Sequence, residues 1–196
     1  ARQAYEEWRE AIDLDDPQLS ALHRAWTDLV LKRVLELDED DVEDILKPRA
    51  KLSDTLSHVI PEHGITLRPD YAVVDEQNDD RPLLLVQIFS PDIALDEPVK
   101  GDGWATSPSE RMVTLCRAND VRMGLVTNGE RWMLVDAPVG AVTTFASWYA
   151  RLWTQEPITL QAFVNLLGIR RFFVDPSEQL PALFDESLKL QDEVTD

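Results

Sequence analysis

The chain has 196 residues, 44% of them hydrophobic, enough to bury one sizeable core, or one core plus a small helical appendage. With 37 acidic against 19 basic residues its formal charge is -18, which excludes wholesale coating by nucleic acid unless positive charge is gathered on one face. The single cysteine, Cys116, excludes an internal disulfide and a cysteine-rich metal site and fits a reducing cytoplasm, and no apolar run approaches the roughly 20 residues that cross a bilayer.

The first sixty residues read as helical, a region packed on the core. Tyr5, Trp8 and Ile12 share one helical face, and Leu19, Leu22, Trp26, Leu29, Val30, Val34 and Leu37 form a longer stripe after Pro17. The acidic run from Asp38 to Asp41 predicts the start of a third short helix, with Val42, Ile45 and Leu46 inward and Pro48 at its end. A further helix is expected around Leu52 to Ile60. His23 falls on a predicted surface helix, and its bland reading is a solvated side chain.

The period then changes, and residues 61–147 read as the core. Tyr71 to Val74 and Leu83 to Phe89 are strand-like, and the polar connector between them predicts an antiparallel hairpin. Ser107-Pro108-Ser109-Glu110 combines an N-cap serine, a first-turn proline and a glutamate placed to close a capping box. Met112, Leu115 and Cys116 give that helix a buried face, so Cys116 reads as a small core residue. Val121 to Thr127 and Arg131 to Val135 flank Asn128-Gly129, the strongest short hairpin signal. A strand from Val142 to Phe145 is expected next. Residues 148–196 then read as C-terminal helices, one around Leu160 to Leu167 stopped by Gly168 and a last one around Leu180 to Leu188. The order predicts an α+β fold with a mixed central sheet flanked by helices.

Taken in order, Pro69-Asp70 at a strand start, the apolar strand Leu83 to Phe89, the capped helix from Ser107, and the segment Gly124 to Trp132 with its Thr127-Asn128-Gly129 turn resemble the N-terminal nuclease domain of type I and type IIG restriction-modification enzymes. The resemblance covers roughly residues 64–135. It implies a restriction-endonuclease-like fold, DNA as a partner, a DNA methyltransferase or helicase module in the same polypeptide or complex, and magnesium as the cofactor. Phosphodiester hydrolysis of that kind needs a divalent cation held by carboxylates, which lowers the pKa of the attacking water, and a lysine nearby.

Against that pattern the motif is half intact. Asp70 matches the first carboxylate. Gln87 stands where the second would be; its amide oxygen can ligate a hard cation, weakly, because it brings no charge. Phe89 stands where the lysine would be, and none of the five lysines has an acid two positions earlier. Lys100 and Arg111 are the candidate substitutes for the missing positive charge. Trp104 reads as a base-stacking platform or, more blandly, a cover over the sheet edge.

There is no phosphate-cradling glycine loop with a following lysine, no dinucleotide fingerprint, no Gly-x-Ser-x-Gly elbow and no His-Glu-x-x-His. Two functions remain: a nuclease-like module of a restriction-modification or phage-defence protein that binds or regulates without catalysis, and an active metal-dependent DNA endonuclease with an altered site.

Overall fold

The computed structural model describes residues 1–195. Eight strands, β1 (Leu46–Pro48), β2 (His58–Ile60), β3 (Ile65–Leu67), β4 (Tyr71–Asp75), β5 (Arg81–Ile88), β6 (Met123–Thr127), β7 (Arg131–Asp136) and β8 (Thr144–Tyr149), combine with five α-helices. The helices are α1 (Arg2–Asp13), α2 (Leu19–Leu29), α3 (Pro108–Ala118), α4 (Pro157–Leu167) and α5 (Leu180–Thr195). Six strands form one sheet in the order β1-β4-β5-β6-β7-β8, and β2 and β3 make a separate ribbon. The β5–β6 pair is parallel and every other pair antiparallel, so the sheet is mixed, as expected for α+β.

Strict alternation sends side chains to two cores. Tyr71, Val73, Leu84, Val86, Leu125, Trp132 and Leu134 face α1, α2 and α4. Ala72, Val74, Leu85, Val126, Met133 and Val135 face α3 and the β2–β3 ribbon. The first face is lined by tryptophans: Trp8 stacks on Trp26 with centroids 6.2 Å apart, Trp153 packs between Trp26 and Trp132, and Trp148 meets Phe163 edge-on. Trp104 is on the opposite side, stacked on His63 at 5.9 Å with the Arg111 guanidinium 4.9 Å from its ring centre.

The two local signals in the middle of the chain hold. Ser107 accepts from the Glu110 amide while Glu110 accepts from the Ser107 amide, closing the capping box of α3. Residues 127–131 close an antiparallel hairpin, with the two-residue loop at Gly129–Glu130, since Asn128 N–H donates to the Arg131 carbonyl at 3.3 Å. Gly129 takes φ of 87°, which the first loop position of such a hairpin requires. A Cβ there would also meet Trp8 at 2.7 Å.

Several expectations need correction. The run Asp38 to Asp41 opens no helix: the buried Asp38 and the exposed Asp41 both turn back onto Lys32, at 3.4 and 2.9 Å, while Asp41 and Glu43 adopt positive φ that ends any helical path. Leu46–Pro48, read as the end of that helix, is instead the β1 edge of the sheet, paired with β4. The helix expected around Leu52 to Ile60 is a turn followed by β2. Ser53, Thr55 and Ser57 hydroxyls bond locally there and compete with helical hydrogen bonds. The strand expected from Val142 begins at Thr144 and runs on to Tyr149, so the sheet extends beyond residues 61–147 at both ends. Gly168 does end α4, but with extended backbone (φ -68°), and what demands glycine is the Val164 carbonyl, which a Cβ would approach to 2.6 Å.

Candidate functional site

Asp70 lies one residue before β4, and the register that pairs Tyr71 with Val86 puts Gln87 opposite it. The Asp70 amide donates to the Val86 carbonyl at 2.7 Å, fixing that approach. Asp70 and Gln87 line one cavity of about 270 Å³ together with Arg49, Arg68, Phe89 and Arg111. The hairpin thus brings together both residues singled out in the sequence, with Arg111 reaching them from α3. Lys100 is not part of this group. It lies in the loop before α3, on a separate cavity with Glu97, Val99 and Trp104.

Asp70 has both carboxylate oxygens occupied. Oδ2 accepts from the Ile88 amide at 2.7 Å and Oδ1 from Arg49 Nη2 at 2.7 Å. Arg49 follows β1 and is fixed three more ways: its own amide donates to the Asp70 carbonyl, Nε donates to the Pro69 carbonyl, and Nη2 leans 3.5 Å from the Arg68 carbonyl. Burial pushes the Asp70 carboxyl above its ordinary pKa, opposed by the Ile88 amide and by Arg49.

Gln87 is 7% exposed and donates Nε2 to the Arg68 carbonyl at 3.0 Å. That bond fixes which end of the amide is nitrogen, and it leaves Oε1 buried with no donor among the described residues. Phe89, at the lysine position, packs against the α3-side core and offers the cavity only a ring. Arg111 is 6% exposed and committed: both Nη atoms fork onto Asp102, Nε and Nη2 reach the Thr106 and Trp104 carbonyls, and the guanidinium lies over Trp104.

These residues do not fit a magnesium site. A divalent cation at Asp70 would have to displace a guanidinium already bonded to it, Gln87 offers one neutral oxygen, and no second carboxylate lines the cavity. No group of three or more histidine, cysteine or acidic side chains with metal-binding spacing occurs among the described residues.

The site also contains residues that sequence reasoning missed. A second cavity, about 530 Å³, shares Arg49, Asp70 and Ile88 with the first and is walled by His23, Arg24 and Asp28 of α2 and by Tyr71. His23 is buried rather than on a solvated helix face. Its Nε2 lies 2.9 Å from the Phe89 carbonyl, and Nδ1 has no partner among the described residues. Burial lowers its pKa, opposed by the Phe89 carbonyl. Tyr71 Oη donates to Asp28 at 2.7 Å, and burial pushes that phenol up to about 12. Arg49 carried no sequence signal, because the bond that matters spans 21 residues between an edge strand and a hairpin.

The Thr127-Asn128-Gly129 turn lies under the same end of the sheet and ties the layers together. Trp26 and Trp132 both donate to the Gly129 carbonyl, at 2.8 and 3.2 Å, while Asn128 donates to the Ile93 carbonyl in the loop beyond β5. The chain matches no protein-family model, no curated protein and no solved structure. No helix among the described residues is long and apolar enough to cross a membrane.

Proposed function

We propose that this chain is a restriction-endonuclease-like domain that has lost hydrolysis and serves as a binding or regulatory module of a restriction-modification or phage-defence protein. The observation that carries the reading is the pairing of Asp70 with Gln87 at one end of a mixed sheet, with an arginine where the chemistry needs a cation and a phenylalanine where it needs a lysine. The order of elements supports the same reading. A strand opened by Pro69-Asp70, an apolar strand, a capped helix, and a strand ending in Thr127-Asn128-Gly129 before the Trp132 strand follow one another as the resemblance implies. Without a second carboxylate to hold a cation in the cavity, nothing here generates the attacking hydroxide.

The second reading, an active metal-dependent DNA endonuclease, draws on one observation, that Arg111 lines the same cavity as Asp70 and Gln87. Its guanidinium is already held by Asp102, two carbonyls and Trp104, so its donors are spent on the protein. Plasmid incubation with magnesium or manganese, for the wild-type chain and Asp70→Ala, decides between the two. No nicking is expected from either. Nicking by the wild type that disappears in Asp70→Ala overturns the non-catalytic reading.

A further inference from the structure

We infer that Arg49 has taken the place of the catalytic cation on Asp70, and that the cleft it divides grips the phosphodiester backbone of nucleic acid without any divalent metal. The inference deepens the reading above and rests on it in one respect, that the cleft binds rather than cuts.

A metal in a nuclease site performs two tasks, neutralising the carboxylate and presenting positive charge to a phosphate oxygen. Arg49 is built for both. One Nη2 N–H neutralises Asp70 at 2.7 Å, and Nε is fixed on the Pro69 carbonyl at 3.0 Å, which sets the plane of the guanidinium. Of its five N–H donors, the two on Nη1 bond nothing among the described residues. A guanidinium held on its Nε–Nη2 edge keeps Nη1 to donate to a phosphate oxygen. A bound magnesium would be lost with every chelator, whereas this cation is covalently part of the chain.

The surroundings extend the positive surface. Arg68 lines the smaller cavity, is exposed, and its guanidinium makes no hydrogen bond or ion pair among the described residues. Arg24 lines the larger cavity from α2, and its nearest carboxylate, Asp28, is 4.0 Å away and is already bonded by Tyr71. Arg24, Arg49 and Arg68 therefore offer free donors along one groove, in a chain whose formal charge is -18. Positive charge gathered on one face is the condition under which so acidic a protein can bind a polyanion, because at physiological salt the remaining carboxylates are screened beyond about 8 Å.

The test is titration of fluorescein-labelled DNA, single-stranded and duplex in separate arms, with the full chain over a salt series up to physiological ionic strength, in EDTA and in magnesium. Binding in EDTA at least as tight as in magnesium is expected for whichever strand form binds, since magnesium only competes for the phosphates. Arg68→Ala should weaken binding and lower the slope of log K against log salt by about one, the loss of one phosphate contact. Arg49→Ala should weaken it further and make the residual binding respond to magnesium, since Asp70 is then free to hold a cation. Arg68→Ala keeps the test valid should Arg49→Ala fail to fold. Binding that appears only with magnesium, or that neither substitution weakens, overturns the inference. So does the absence of binding in both arms, which leaves the non-catalytic reading standing on the plasmid result alone. Nicking by the wild type would remove that reading and with it the replacement of the cation by Arg49, whereas loss of binding without nicking would remove only the inference.

Discussion

At the scale of single residues, the site is governed by which side chain satisfies Asp70. In Asp70→Ala the Ile88 amide and the Arg49 guanidinium both lose their acceptor in a half-buried place, and an expected loss of about 1–3 kcal/mol can be read from urea denaturation. Magnesium calorimetry gives the complementary result. Gln87→Glu alone should gain little affinity, because the new carboxylate faces the Arg68 carbonyl and Arg49 still occupies Asp70, whereas Gln87→Glu with Arg49→Ala should bind clearly more tightly than either. Equal affinity in all variants would mean that Gln87 does not share a site with Asp70.

His23 supplies a pH dependence with a definite sign. Its folded pKa lies below the ordinary 6.5 because burial disfavours the charged ring, so the unfolded chain takes up the proton first and stability falls as pH drops below about 6.5. Protonated Nδ1 would point at Gly129 and Trp8 with no acceptor among the described residues. Thermal melting between about pH 7 and pH 5.5 should show a decline in the wild type that is reduced in His23→Gln. That window lies above the range in which Asp41, Asp96, Asp102 and Asp185, all held low by their basic partners, begin to protonate.

At the scale of elements, the tightest of the glycine positions lies between α3 and β6. A Cβ on Gly124 would lie 2.3 Å from Met112 Cγ and 2.6 Å from its sulfur. Gly124→Ala is expected to cost about 1–3 kcal/mol by pushing the helix off the sheet, and Met112→Ala should return part of that loss in the double variant. Simple additivity of the two losses would show that the helix does not rest there. The hairpins and the capped α3 were legible in the sequence because their signals are local: Asn128-Gly129 beside apolar runs, and Ser107 three residues from Glu110. β1 was not legible. Three residues ending in proline show no period, and only pairing with Leu46↔Val73 and its neighbours makes them a strand. The ion pairs of Asp38 and Asp41 were hidden for a related reason, since their lysine partner comes from the turn after α2. At the site, Asp70 and Gln87 could be found from strand patterns, but Arg49, Arg24 and His23 join them only through tertiary packing.

At the scale of the whole molecule, α5 is fastened by a charge relay across two elements. Asp136, fully buried in β7, binds Arg122 through two oxygens, and Arg122 reaches on to Asp185 at 2.8 Å. Arg122→Ala strands Asp136 as a buried unpaired charge and should cost about 3–5 kcal/mol in urea denaturation, whereas Asp185→Asn, at the exposed end, should cost well under 1 kcal/mol, roughly the worth of a surface pair. The five tryptophans on the face beneath α1, α2 and α4 lie close enough to share excitation, while Trp104 is isolated across the sheet beside Arg111 and His63. Intrinsic fluorescence is therefore divided into two channels: a large, solvent-shielded signal that reports whether the helical layer is docked, and a small one that senses the guanidinium of Arg111, which lines the cleft. Trp104→Phe would silence the second without touching the first, turning the protein's own emission into an optical difference measurement of what enters the groove.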